Sequence, residues 1–440
     1  MSDPDRLTYD EAVAALTERG RFGISLGLER VERLMAEVGH PERRLRGALV
    51  GGTNGKGSVV AMARSILVAA GYRVATMPKP HLVSYRERIA VDGEPISAAD
   101  FAAAVERVLP AIDRVAETTG PPTEFEALTA AAIAEIARRD VDLAIVEVGM
   151  GGRLDATNVL DLGVAAITNV QHDHEAHLGS TLAAIAGEKA PIVKRGNLAV
   201  TGASGRGLRP IVERCERLGV PLRRAGPRQP YDATVRHSGW DGLVLDAHTP
   251  GGTLRELQVG LLGAHQAGNA AVALALVDAI GERWGIDVDE AALRRGLGAA
   301  TWPGRLELLD GAPIGLGRVL LDGAHNPSGA AALARALADL GLHRPTIVFG
   351  AMRGKRVHAV LRALAPLEPR FVFTRVSDPN ARDPAELARA WRAVAGQSAR
   401  TAATPDEALA AAKGDPVVVA GSLYLVGAVR GMITGTPEET

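Results

Sequence analysis

The chain has 440 residues, 47% of them hydrophobic and 3% aromatic, with a formal net charge of −1. That length exceeds what one hydrophobic core usually organises, so two domains are expected, packed mainly by Ala, Leu and Val. The charge balance gives no electrostatic basis for binding nucleic acid or an anionic membrane, and a lone cysteine, Cys215, excludes an internal disulfide.

The N-terminus, MSDPDRLTYDEA, is polar and has no apolar signal core, so a cytoplasmic protein is expected. The first predicted strand, 47–50, runs into Gly52-Thr53-Asn54-Gly55-Lys56-Gly57-Ser58, followed by a helical pattern over 59–70. Such a strand–turn–helix aims backbone N–H groups and the positive end of the helix dipole at one point, which suits phosphate. Lys56 adds a full charge there, and Ser58 a hydroxyl for Mg²⁺. Gly57 between them makes this a variant of the usual phosphate loop.

A second strand is predicted at 73–77, followed by the polar segment 80–89, long enough to move over a site. Helices are expected at 98–108 and 126–138, and strands at 143–148, 165–170 and 198–201. This alternation predicts a parallel sheet with helices on both faces and ligands at the strands' carboxyl ends. Glu147 ends an apolar strand, where a carboxylate needs a partner: Mg²⁺ or an arginine. His172-Asp173-His174 follows the next strand, and Glu188-Lys189 lies fifteen residues on. Lys189 reads either as a plain counter-charge or, unprotonated, as a carbamate that turns a cation into an oxygen ligand. It is one of only six lysines, so each lysine merits attention.

Between 231 and 262 the texture changes to polar alternation with turn signals, predicting an antiparallel insertion. Helices at 266–280 and 290–297 precede a linker over 299–305 that contains Trp302-Pro303-Gly304-Arg305. The alternation then resumes, with strands at 319–321, 346–349, 371–374 and 417–419 and helices at 328–339, 384–393 and 405–411. The longest apolar stretch, 417–429, is broken by Gly421, Ser422 and Gly427 and is too short to span a bilayer. The expected fold is therefore α/β: residues 1–298 as a P-loop domain with a parallel central sheet and a β insertion, and 306–440 as a smaller Rossmann-like domain.

In order along the chain, GTNGKGS, EVGMGGRLDATN, the HDH…EK pair, HQxxN, WPGR and DGAHNP resemble the folylpolyglutamate synthase and dihydrofolate synthase family, within the Mur-type amide ligases. The resemblance implies ATP on Gly55, Lys56, Gly57 and Ser58, with Asn269, Arg305 and Asp322 completing the nucleotide site. It implies two Mg²⁺ ions on Ser58, Ser84, Glu147, His174 and a carbamylated Lys189, with a monovalent cation nearby. Lys56, His174 and Lys189 are the expected catalytic groups. Thr123-Glu124-Phe125-Glu126 and Leu154-Asp155-Ala156 match segments that hold a pterin substrate, and His325 and Ser422 match positions near the incoming glutamate. The implied reaction adds L-glutamate to a folate-type acid, dihydropteroate or a reduced folate, through an acyl phosphate. A Mur-type ligase acting on another carboxylic acid is the alternative. A monomer acting on small molecules is expected. Two positions depart from the family pattern: Gln171-His172 stands where Gly-Leu is usual, and Lys79 where Ser precedes Pro-His-Leu. Lys79 reads equally as an attractor of a polyanionic acceptor or as an exposed loop residue without a role.

Overall fold

The computed structural model describes residues 6–19 and 27–436. Its strands in chain order are β1 (Gly47–Gly51), β2 (Val74–Met77), β3 (Ala90–Val91), β4 (Glu94–Pro95), β5 (Leu143–Glu147), β6 (Gly163–Ile167), β7 (Leu198–Thr201), β8 (Leu222–Arg224), β9 (Asp232–Gly239), β10 (Gly242–Thr249), β11 (Gly252–Val259), β12 (Glu307–Asp310), β13 (Arg318–Asp322), β14 (Thr346–Phe349), β15 (Arg370–Phe373), β16 (Arg400–Thr401) and β17 (Val417–Ala420).

Eight of these form the first sheet, in the order β4-β3-β2-β5-β1-β6-β7-β8. From β2 to β8 every pairing is parallel, and β3 and β4 add an antiparallel hairpin at one edge. Its central strands are buried at every position, because the sheet is covered on both faces. Leu49 packs into one core with Met77, Val146 and Ile167, while its neighbours Ala48 and Val50 pack into the other with Ile145 and Val164. That double burial is why these strands read as continuous apolar runs. The chain passes from β1 toward β2 on one side and from β6 toward β7 on the other. The crevice at the carboxyl ends of β1 and β6 is therefore a topological switch point, where α/β sheets bind ligands.

The insertion is an antiparallel meander, β11-β10-β9, with its Leu243, Leu245 and Ala247 turned into the core. The third sheet has the order β12-β13-β17-β14-β15-β16, parallel except for β12. It builds its own cores around Phe349, Phe373, Trp391 and Val418 on one face and Leu321, Val348 and Val419 on the other. The fold class is α/β, as expected: a large, mostly parallel sheet with a β insertion, then a smaller α/β unit.

Several elements depart from the expected bounds. The helix after the phosphate loop is Lys56–Ala69, so Lys56 belongs to its first turn. The strand expected over 165–170 is Gly163–Ile167, because Thr168 and Asn169 leave it to bind the phosphate loop. The helix expected to end at 108 is Ala98–Thr119; it runs through Pro110 because Ala111, Ile112 and Val115 continue its buried face. The segment 80–89, read as long enough to move over a site, is tied together by one carboxylate. The Glu87 carboxylate accepts the backbone N–H groups of Leu82, Val83 and Ser84 at 2.7, 3.0 and 3.0 Å.

Candidate active site

The phosphate loop gets its shape from the segment after β6. Asn169 Oδ1 accepts the Asn54 N–H at 3.0 Å, and the Asn54 carbonyl accepts from Thr168 Oγ1 at 2.6 Å and Asn169 Nδ2 at 3.0 Å. Thr53 and Gln171 exchange hydrogen bonds at 3.2 and 3.0 Å. Those two bonds use the Gln171 backbone; the side chain of this residue, part of the Gln171-His172 departure from the family pattern, braces the loop by accepting Asn54 Nδ2 on Oε1 at 2.6 Å. Gly55 takes φ +79, and a Cβ there would strike the Asn269 amide. A Cβ on Gly57 would lie 2.5–2.7 Å from the Trp302 indole. The extra glycine of the variant loop is where the Trp302-Pro303-Gly304-Arg305 segment packs onto it.

Around this loop lies a cavity of about 600 Å³. Gly55, Lys56, Gly57, Ser58, Glu147, His174 and Lys189 line one side, and Asn269, Arg305, Asp322, His325 and Ser422 complete it. The structure therefore brings together residues up to several hundred positions apart. Two of its buried polar atoms, Ser422 Oγ and His265 Nδ1, have no hydrogen-bond partner. Unsatisfied groups in a cavity wall mark positions where a polar ligand would be bound.

Charge in this cavity is concentrated. Lys56 Nζ lies 3.8 Å from Glu147 and donates to the Gly52 and Thr53 carbonyls at 3.3 Å each. Glu147 is buried, and burial raises its pKa against the opposing pull of Lys56 and Arg305. Lys189, 3% exposed, donates to the same Gly52 carbonyl at 3.0 Å. Burial, helped by the nearby Lys56 charge, lowers its pKa to about 7. Desolvation at the cavity wall lowers the His174 pKa to about 4 against the pull of Asp173, which favours the neutral imidazole at pH 7. Burial also raises the pKa of Asp322, whose oxygens accept the Leu306 and Ala324 N–H groups at 3.0 and 2.9 Å.

Polar bonds from the second α/β unit close the cavity. Asn54 Nδ2 donates to Ser328 Oγ at 2.9 Å, and Asn326 Nδ2 donates to Asn54 Oδ1 at 2.9 Å and to Asp173 at 3.1 Å. Lys355 Nζ pairs with Asp173 at 3.0 Å, and His325 Nε2 lies 3.4 Å from it while His325 Nδ1 donates to the Gly323 carbonyl. Burial pushes the Asp173 pKa up, but the His325 hydrogen bond and the Lys355 charge outweigh it and hold the carboxyl well below the usual range.

Eight of the residues named from sequence lie outside this cavity lining. Ser84, expected among the metal ligands, caps the turn Tyr85–Arg88, and its Oγ lies 3.2 Å from the Tyr9 hydroxyl. Thr123 and Glu126 form a capping box at the head of the helix Glu124–Arg138, and Glu126 also accepts Arg30 Nε at 2.9 Å. Glu124 accepts the Tyr85 hydroxyl at 2.7 Å. Asp155 caps the turn Ala156–Val159, bonding Thr157 with one oxygen and the Met150 N–H with the other. Leu154 is half-buried and Ala156 buried beside it. Phe125 carries the Lys79 ammonium on its ring face. Lys79 itself is half-buried and lines the cavity, so it is not an exposed loop residue. Burial lowers its pKa to about 7.

Among the described residues no three His, Cys, Asp or Glu side chains converge as a metal cluster. Ser58, Glu147 and His174 all line this cavity and carry donor atoms of the kind that bind Mg²⁺. Lys189 offers no lone pair as an ammonium and joins that set only as a carbamate.

The Mur ligase middle domain matches residues 50–277, and the Mur ligase glutamate ligase domain matches residues 304–423. A dihydrofolate synthase/folylpolyglutamate synthase of Bacillus subtilis is 35% identical over 434 residues, covering 96% of this chain and 98% of that protein. This chain belongs to the folylpolyglutamate synthase/dihydrofolate synthase family of Mur ligases. The crystal structure of Mycobacterium tuberculosis folylpolyglutamate synthase complexed with ADP and AMPPCP is 35% identical and superposes with a TM-score of 0.87, covering 96% of this chain and 99% of that one. Escherichia coli FolC in complex with DHPP and ADP is 29% identical, with a TM-score of 0.84, covering 96% and 98%.

For a member of this family, sequence reasoning missed the braces rather than the loop. Asn54, Asn169, Asn326, Ser328 and Lys355 carry no signal alone; each gains meaning from a partner distant in the chain. The scarcity of lysine was the available clue to Lys355.

Proposed function

We propose that this protein is an ATP-dependent ligase that joins L-glutamate to the carboxyl group of a folate-type acid through an acyl phosphate. The observation that carries this reading is the cavity itself. It sets Lys56, Glu147 and Lys189 against Asp322, His325 and Ser422. A phosphate-binding wall thus faces a polar wall with unsatisfied groups, the arrangement that transfer between two bound substrates requires.

ATP lies with its phosphates on Gly55, Lys56, Gly57 and Ser58, and Asn269, Arg305 and Asp322 complete the nucleotide site. Lys56 and the loop amides hold the γ-phosphoryl and neutralise its charge as it moves to the acceptor carboxylate. Ser58, Glu147, His174 and a carbamylated Lys189 would hold Mg²⁺, which when bound supplies further charge neutralisation for the phosphates. Neutral Lys189 is the form that reacts with CO₂, and a pKa of about 7 keeps much of it neutral. The glutamate amine, positioned near His325 and Ser422, attacks the acyl carbon and phosphate leaves. The bonds from Asn54 and Asp173 to the second unit exclude water from the acyl phosphate. The chain is read as a P-loop domain over 1–298, a linker over 299–305 and a glutamate ligase domain over 306–440.

No described helix is long and apolar enough to cross a membrane. The enzyme is placed in the cytoplasm, as a monomer acting on small molecules. Mass spectrometry of products from ATP, glutamate and either dihydropteroate or tetrahydrofolate tests the assignment. A glutamyl adduct of either acid supports it; ATP consumption without an adduct, or ligation only to an unrelated acid, refutes it.

A further inference from the structure

Lys79 lines the cavity but has no part in the steps above. It follows β2, and the sheet order β2-β5-β1 puts Glu147, at the end of β5, between it and the phosphate loop. Glu147 faces Lys56 with one oxygen at 3.8 Å and accepts the Lys79 backbone N–H with the other at 3.3 Å. The Lys79 side chain does not turn to that carboxylate. Its Nζ lies over the Phe125 ring, in space left open by Gly149, where a Cβ would come within 2.7 Å of it. Among the described residues no carboxylate forms an ion pair with this Nζ. Asp155, which approaches the same Gly149, has its oxygens engaged by Thr157 and Met150. The Asp155 and Glu147 charges favour the ammonium form but neither forms an ion pair with it, so a ligand anion at hydrogen-bond distance would hold this amine charged. On the ligase reading the phosphates lie with Lys56, across Glu147 from Lys79, which leaves the acceptor to supply that anion.

We propose that Lys79 is a specificity-determining residue whose ammonium binds a second carboxylate of the acceptor: the α-carboxylate next to the reacting group of a glutamate-tailed acid. This rests on the ligase reading above. Dihydropteroate has a single carboxyl, the one that reacts, and offers Lys79 nothing. A folate ending in a glutamyl residue offers the α-carboxylate. Lys79 therefore favours chain extension over the first glutamate addition.

Steady-state kinetics of the full chain with each acceptor test this, using Lys79→Met, Lys79→Arg and Gly149→Ala. In Lys79→Met, kcat/KM for tetrahydrofolate falls roughly 10- to 100-fold, the range for a lost charged hydrogen bond, while that for dihydropteroate stays within about twofold. Lys79→Arg recovers part of the loss, and Gly149→Ala, which crowds the ammonium, shows the same split. Titration of each acceptor without ATP shows the split in Kd, separating acceptor binding from a change in folding. Equal loss with both acceptors, a rise in KM for ATP alone, or no change overturns the proposal. A wild-type protein that ligates glutamate to neither acid refutes the ligase reading itself, which the wild-type control reports separately.

Discussion

Lys56 and Lys189 donate to the same carbonyl, that of Gly52, at 3.3 and 3.0 Å. Burial, and after it the neighbouring Lys56 charge, drives Lys189 toward its neutral form. On the proposed reading Lys56 meets phosphate and Lys189 takes up CO₂. Lys56→Ala removes the loop's full charge, and turnover is expected to fall by roughly 100- to 1,000-fold while the circular dichroism spectrum is unchanged. Near-normal ligation would refute its role. For Lys189, ¹³C NMR with labelled bicarbonate is expected to show a carbamate resonance that Lys189→Ala abolishes. The signal should grow from pH 6 to pH 8, because the neutral amine increases as pH rises through about 7. Activity of Lys189→Ala should be partly restored by a small added carboxylate. A signal that weakens with rising pH would contradict this assignment.

At the scale of elements, the segment 80–84 joins the two α/β units. Gly427, in the helix Leu423–Thr434, packs directly on the Leu82 carbonyl, and a Cβ there would collide with it. The obstacle is backbone that Glu87 already clamps, so it has little room to yield. Gly427→Ala is expected to destabilise the protein by about 1–3 kcal/mol, read as a lowered denaturation midpoint. An unchanged midpoint would show that the helix is free to shift. This contact also shows the limit of what the sequence makes legible. Strands such as β1 and β5 are legible because burial on both faces makes them uniformly apolar. β8, β12 and β16 are not: they are edge strands of two to four residues, none of them fully buried, and too short to show a period. The phosphate loop is legible because its chemistry is local, residues 52–58. The second wall is legible only as separate turns at 322–327 and 421–424, since which loops share a cavity depends on strand order. Ser84, which the resemblance placed among the metal ligands, caps the turn Tyr85–Arg88, a contact that no local sequence pattern announces.

At the scale of the whole molecule, the two units are tied by few but specific polar contacts. Asn54 reaches Asn326 and Ser328, Asp173 collects Lys355 and His325, and Trp240 of the insertion donates to the Leu340 carbonyl at 2.9 Å. Each tie on the cavity side involves a residue that lines the cavity or adjoins its lining, so the contacts that join the units also shape the site. On the proposed reading, that enclosure keeps water from the acyl phosphate. The direct test is transfer of label from an acceptor acid carrying ¹⁸O in its carboxyl group. The account predicts one ¹⁸O atom in the phosphate released per glutamate joined. Unlabelled phosphate, formed while the glutamyl product accumulates, would contradict it.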